Sequence, residues 1–297
     1  MLVDGNMIKS AMSSVAPIPT VVPGPSEHYV TATAIGTRTL WVVCVLMGLS
    51  SLAFYGMAYR VPASKRLFHI LTAFITTFAF LSYFAMASGD GINLRSSTET
   101  ISHKHGLPDT TEITHREIYY ARYIDWSLTT PLLLLDLALL AGLNGANILV
   151  AIVADIIMIM TGLFASYGKN DGQKWGWYTW ACIAYLVIIY QIVFNGRNAA
   201  LNKDSKTKAF FAALAAFTFV LWTVYPIIWG LAEGAELVSV DAEIIGYAIL
   251  DILAKPVFGF WLLFTHDSMS STSPSLDGFW SEGWGAGQLR VGDDDEA

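Results

Sequence analysis

Seven apolar stretches, each about as long as a membrane crossing demands, dominate this sequence of 297 residues. A helix needs roughly 20 predominantly apolar residues to cross the hydrocarbon core of a bilayer. The stretches at 39–60, 66–88, 117–140, 146–167, 175–196, 208–232 and 243–266 meet that requirement. In hydrocarbon every backbone N–H and C=O must be satisfied within the protein, which confines such stretches to helices. The expected fold class is therefore all-α, a seven-transmembrane-helix bundle. Composition agrees: 54% of residues are hydrophobic, 14% are charged and mean hydropathy is +0.50, too apolar for an ordinary soluble domain.

The remaining segments suggest three parts: a flexible arm at 1–38, the membrane domain at 39–268 and a polar tail at 269–297. The arm holds several prolines between Pro17 and Pro25 but no apolar core of a signal peptide, so the first spanning helix is expected to serve as its own insertion signal. Basic residues cluster in the first loop (Arg60, Lys65, Arg66) and the fifth (Arg197, Lys203, Lys206, Lys208). The positive-inside rule assigns these loops to the cytoplasm, with the N-terminus extracellular and the C-terminus cytoplasmic. Thr/Ile alternation within 89–116 suggests a small hairpin. The tail ends Asp293, Asp294, Asp295, Glu296 and reads as solvated. A net charge of -7 argues against nucleic acid as a partner. Cys44 and Cys182 both lie in apolar stretches and read as buried small residues rather than a disulfide.

Ionisable residues inside a bilayer are costly and by default mark function. The stretch from Tyr119 to Asp136, YYARYIDWSLTTPLLLLD, carries Arg122, Asp125 and Asp136. Eleven residues advance a helix by about 1100°, close to three full turns, so Asp125 and Asp136 share a face roughly 16 Å apart along the axis. Two carboxylates at different depths suggest two stations on a path for protons or cations. Arg122, one turn from Asp125, can pair with it. The fourth stretch adds Asp155, and the seventh adds Asp251 and Lys255 in AILDILAKPVFGF. Lys255 sits about 12 residues, or about 18 Å, from either end of its stretch. That is too deep for snorkelling. It could be neutralised structurally by Asp251 at i−4. The functional reading is an amine in a dry pocket, suited to forming a Schiff base with a carbonyl compound. Asp125 and Asp251 would then be its counter-ions.

Aromatic residues at helical spacing are ordinarily core or interface belt. Beside a buried lysine they suggest walls of a slot for a long, flat, apolar ligand. Trp222, Tyr225 and Trp229 follow i, i+3, i+7 around Pro226. Trp126, Thr129 and Thr130 follow Asp125; Met158, Thr161 and Gly162 come from the fourth stretch, Trp177 and Tyr178 from the fifth.

Three motifs in order, RYIDWSLTTPLLLLD, WTVYPIIW and LDILAK, make the chain resemble the microbial rhodopsins, the seven-helix retinal proteins, and within them the fungal branch that looks like bacteriorhodopsin. The resemblance covers about residues 39–268 and leaves both tails outside. It implies an internal retinal pocket, with all-trans retinal bound at Lys255 as a protonated Schiff base. Asp125 matches the primary counter-ion and proton acceptor. Asp251 matches the second counter-ion, hydrogen-bonded by Tyr83 and Tyr225, and Arg122 the arginine below the Schiff base. Asp136 matches the proton donor, with Thr72 as its hydrogen-bond partner. Glu233 and Glu243 match the extracellular release pair. Asp155 matches the acid bonded to Thr130. The slot would be lined by Tyr123, Trp126, Thr130, Met158, Gly162, Tyr178, Trp222, Tyr225, Pro226 and Trp229, with Tyr83 and Thr129 also in the retinal-binding set.

The implied activity is a light-driven outward proton pump, with transfer from the Schiff base to Asp125 and reprotonation from Asp136. An acid among Leu132 to Leu135 keeps its proton, whereas one beside two cations loses it; a vectorial pump needs that asymmetry. Tyr178 and Ala181 stand where bacteriorhodopsin has tryptophan and serine, and Ile124 where it has a small residue. The loop 233–243 is one residue shorter than in that pattern. A slow-cycling photosensor signalling through a partner is the alternative, and the carboxylic acid at Asp136 favours the pump. A carboxylate at Asp125 disfavours a chloride pump, the motif match disfavours a channel, and Lys255 disfavours a retinal-free relative. No nucleophile–base spacing suggests a hydrolytic enzyme. Expected partners are protons and membrane lipid, with a homo-oligomer left open and no signalling partner deducible; the expected location is the plasma membrane. His103, His105 and His115 read as scattered loop residues rather than a metal site, and His69 as packing with a conceivable influence on a proton path. Lys255→Ala should leave no visible absorption band after retinal is added, as read by spectroscopy of the purified protein; a normal band would remove the Schiff-base assignment.

Overall fold

A computed structural model describes residues 24–103 and 109–268. By their internal contacts the described residues separate into two units, one of residues 24–29 with 96–103 and 109–115, the other of residues 30–95 with 116–268. The larger holds seven helices long and apolar enough to cross a membrane: α1 (Ala34–Arg60), α2 (Leu67–Ser88), α3 (Tyr120–Ala141), α4 (Gly145–Ser166), α5 (Asp171–Ala200), α6 (Ser205–Gly234) and α7 (Val240–Ser268). The seven expected spans are all present. α1 begins at Ala34 rather than 39, because Thr33 caps it: the Thr33 side chain accepts from Ile35 N at 3.1 Å. That cap is anchored by Asp241 at the start of α7, which accepts from Thr33 N at 2.9 Å and Gly36 N at 3.1 Å.

Local chemistry sets the other boundaries. Gly89 (φ 91°) and Gly142 (φ 74°) close α2 and α3 in left-handed conformations that a side chain would disfavour. Asn144, Asn170, Asp204 and Ser239 cap the starts of α4, α5, α6 and α7 with side-chain acceptors. Three helices contain π-helical turns, at Tyr190–Asn195, Gly230–Gly234 and Leu253–Val257. Such bulges often mark functional positions; the last carries Lys255 and the second carries Glu233. Gly259 lets α7 lie close to α2 and α1, since a Cβ there would come within 2.4 Å of Thr72 Cγ2 and 2.8 Å of Phe54 Cζ.

The interior divides along its length. Toward one end, called here the His266 end, Phe54, Phe68, Leu133, Leu137, Leu214 and Phe258 belong to a continuous apolar cluster. Toward the other, the Glu243 end, Leu40, Val43, Met47, Val240 and Ile244 pack around α1 and α7. Between them Tyr123, Trp126, Ile159, Trp229 and Tyr247 form an aromatic layer.

The expected hairpin is observed, its strands lying mostly in the smaller unit. Strands β2 (Asn93–Ile101) and β3 (Thr110–Ile118) pair, and β1 (Ser26–Val30) adds to β3, giving the order β1-β3-β2. His115 stacks on Tyr29 at 4.7 Å and meets Ser96 Oγ at 2.8 Å; His103 meets Thr110 Oγ1 at 2.9 Å. His105 and the acidic tail lie outside the described residues.

Candidate functional site

Lys255 is buried at the middle of α7, where the π turn ahead of Pro256 carries it. Its Nζ donates to Asp125 Oδ2 of α3 and lies 3.3 Å from Asp251 Oδ1, one turn earlier. Asp251 is held from two more helices: Tyr83 OH of α2 donates to Oδ2 at 2.6 Å and Tyr225 OH of α6 to Oδ1 at 2.8 Å. The structure thus brings together the lysine and both expected counter-ions, with both expected tyrosines on Asp251. Asp125 Oδ1 is buried without a hydrogen-bond partner among the described residues.

A cavity runs from Lys255 between α3, α4, α5 and α6, and all ten residues expected to wall the slot line it. Tyr178 stacks on Trp229 at 4.9 Å and donates to Pro226 O at 3.1 Å. Trp126 meets Tyr225 and Tyr247 edge-on at 5.5 and 5.3 Å. Gly162 keeps the wall thin, its nearest contact for an added Cβ being Tyr123 at 3.6 Å. Two members of the expected retinal-binding set take other places: Tyr83 reaches Asp251, and Thr129 donates to Asp125 O at 2.9 Å. Thr161 donates to Ile157 O at 2.7 Å and Trp177 is partly exposed beside Phe164; neither lines the cavity. Leu133, Ile159, Ala181, Cys182, Tyr185, Tyr247 and Ala254 complete the wall. Of these, the sequence singles out Ala181 as a departure from the bacteriorhodopsin pattern and Cys182 as a small apolar residue. The others are ordinary apolar or aromatic helix residues with no signal to separate them from core.

At the Glu243 end the charges pair differently from the sequence reading. Arg122 forms its ion pairs not with Asp125 but with Glu243 at 2.8 Å and Glu233 at 3.9 Å, and its guanidinium lies 4.2 Å from the Tyr247 ring centre. Asp125 is already engaged by Lys255, and two glutamates offer Arg122 a fuller set of acceptors. Arg116 clamps the other oxygen of Glu243 at 2.9 Å. Glu233 accepts from Tyr123 OH at 2.8 Å through Oε2, while its Oε1 has no hydrogen-bond partner among the described residues. Trp229 Nε1 donates to Tyr123 Oη at 2.9 Å and Ser166 Oγ at 3.0 Å. Arg95 binds Glu236 and donates to the carbonyls of Ser166 and Glu233 at 3.1 and 3.2 Å. Arg116 and Arg95 escaped the sequence reading because they sit in a long polar loop, where a solvated arginine is the usual case.

The deeper acids separate into two kinds. Asp155 accepts from Thr130 Oγ1 at 2.7 Å, as expected. Asp136 is fully buried, and neither oxygen has a hydrogen-bond partner among the described residues. Thr72 is not its partner: the hydroxyl donates to Phe68 O, one turn back, at 2.7 Å. A threonine in a helix finds that carbonyl without any tertiary contact.

A family model of bacteriorhodopsin-like proteins matches residues 35–269. Opsin-1 of Neurospora crassa is 50% identical over 282 residues, 94% of this chain and 92% of that protein. The chain belongs to the microbial rhodopsins, in their fungal, bacteriorhodopsin-like branch. Among solved structures, the light-driven proton pump of Leptosphaeria maculans superposes with a TM-score of 0.80 at 53% identity, covering 82% of this chain and 99% of that one. Bacteriorhodopsin of Halobacterium salinarum is 34% identical over 251 residues, 83% of this chain and 89% of that protein. Microbial rhodopsins of this kind are light-driven transporters rather than enzymes, and retinal held as a lysine Schiff base is typical of them. With its seven spanning helices, this rhodopsin is an integral membrane protein.

The double clamp on Glu243 has a measurable consequence. Arg116→Gln removes one charged hydrogen bond from a buried carboxylate and should destabilise the bundle by about 1.5–3 kcal/mol. Thermal unfolding checks this, and Arg116→Gln with Glu243→Gln should cost less than the two single changes summed.

Proposed function

We propose that this rhodopsin is a light-driven outward proton pump, with Asp125 as acceptor and Asp136 as donor. The observation that carries the reading is the placing of two carboxyl groups on one face of α3. Asp125 touches Lys255 Nζ, and Asp136 stands alone in the apolar half of the bundle. Proton-pumping relatives of closely similar structure support it.

The cavity suits retinal at Lys255. Its walls are aromatic and aliphatic, and it ends on an amine flanked by two carboxylates, one with an oxygen free of hydrogen bonds. All-trans retinal, bound there, supplies light absorption and an isomerisation that changes proton affinity at Nζ. The residues do the rest. Asp125 Oδ2 receives the proton at Nζ. Asp251, held by Tyr83 and Tyr225, stays in place as the second negative charge. Asp136, with no cation beside it, holds a proton in the dark and gives it to Nζ once Asp125 has been filled. Arg122 has acceptors on the Glu243 side, so a change of charge at Asp125 is felt by Glu233 and Glu243. Glu233, whose Oε1 has no hydrogen bond among the described residues and meets Arg122 only at 3.9 Å, is the better placed of the two to release a proton.

Direction follows from the loops. The basic first and fifth loops put the His266 end in the cytoplasm and the Glu243 end outside. In that orientation the N-terminal arm ahead of α1 is extracellular, the seven helices form the membrane domain and residues 269–297 are a cytoplasmic tail, in a protein of the plasma membrane.

Host cells expressing the chain, supplied with all-trans retinal and lit in unbuffered suspension, should acidify the medium, and a protonophore should abolish the change. A coloured protein with no pH change would transfer the reading to a photosensor. Asp136→Asn should slow reprotonation of Nζ at least tenfold in flash photolysis and make its rate follow external pH; an unchanged photocycle would remove Asp136 as donor.

A further inference from the structure

The His266 end holds a polar group that the pump reading does not use. His69, in the first turn of α2, is fully buried (0% exposed). Its Nε2 lies 3.3 Å from Asp267 Oδ2 near the end of α7, and the Asp267 side chain is 40% exposed. The other ring nitrogen, Nδ1, is buried with no hydrogen-bond partner among the described residues. His266 is also buried, its ring 6.2 Å from that of His69 and 4.8 Å from Phe68. Lys65, just before α2, adds its charge to this neighbourhood, whereas Arg66 turns back to Val61 O at 2.7 Å. Inward from His69, Thr72 and Thr76 follow at i+3 and i+7 on the same face of α2, both buried. Each hydroxyl donates to its own helix, which leaves its oxygen able to accept. A half-exposed carboxylate, a buried imidazole and two hydroxyls thus descend in order from this end into the half of the bundle that holds Asp136.

We propose that His69, backed by Asp267 and with His266 beside it, is the proton-entry station that refills Asp136 after each turnover. The inference rests on the pump reading. The loaded ring carries protons on both nitrogens, with Nε2–H facing Asp267. The Nδ1 proton leaves inward and ends on the emptied Asp136 carboxylate. The neutral ring then turns over, so that its bare nitrogen faces the exposed Asp267 side and regains one proton there from water. Nothing is oxidised or reduced, and one proton enters for each one delivered.

The test is flash photolysis of the full retinal-loaded chain with a pH-indicator dye, comparing wild type, His69→Gln, His69→Phe and Asp267→Asn between pH 5 and 9. Both His69 variants should take up the last proton at least tenfold more slowly, with an unchanged visible band and an unchanged rate of proton arrival at Asp125. Added imidazole should restore the rate in His69→Gln. Asp267→Asn should slow uptake less than either His69 variant, because the ring still lies beside the exposed end of the pair. Unchanged uptake kinetics in both His69 variants, or slower uptake in Asp267→Asn than in both of them, would overturn the proposal. A wild type that takes up no proton under light would instead sink the pump reading.

Discussion

A lysine ammonium in the middle of a membrane bundle has to be neutralised where it stands. Removing one charge from water costs several kcal/mol even after the protein relaxes, and good geometry with opposite charges is what offsets it. Lys255 meets that demand with Asp125 from α3 and Asp251 from its own helix. The carboxylates have remaining lone pairs, and Tyr83 and Tyr225 fill those of Asp251 from α2 and α6. Four helices are therefore tied to one amine. The same ties leave its Nζ facing a cavity whose walls are nearly all apolar.

Charge is distributed unevenly on either side of that centre. Toward the Glu243 end, Arg122, Arg116 and Arg95 meet Glu233, Glu243 and Glu236 in a connected network of side chains and carbonyls. Toward the His266 end, Asp136 is buried in the half of the bundle that holds the leucine- and phenylalanine-rich cluster, and among the described residues no donor reaches its oxygens. A polar half conducts protons readily and an apolar half holds one until a path opens. The direction of the proposed pump is built from that difference, not from any property of Lys255 alone.

Much of this was legible because intramembrane chemistry leaves few options. Helices were the only backbone solution for seven apolar stretches, and a lysine 18 Å from either end had to have partners inside. The ten lining positions implied by the family resemblance all line the cavity. The sequence reading fails where contact is inferred from spacing along one helix or from resemblance alone. Arg122 is one turn from Asp125 but spends its charge on glutamates from α6 and α7. Thr72 was paired with Asp136 by resemblance, yet its own helix supplies a nearer acceptor.

By itself the sequence determined the number of crossings, the residues that carry charge inside them and the faces those residues share, since all three depend on composition and a 3.6-residue period. Only the tertiary structure decided which charges meet. It set Arg116 on Glu243, left one oxygen of Glu233 and both of Asp136 without hydrogen bonds among the described residues, and brought His69 to Asp267 across 198 residues of chain. An ion pair forms where two side chains arrive within about 4 Å, and that distance depends on how helices pack, which no local periodicity encodes.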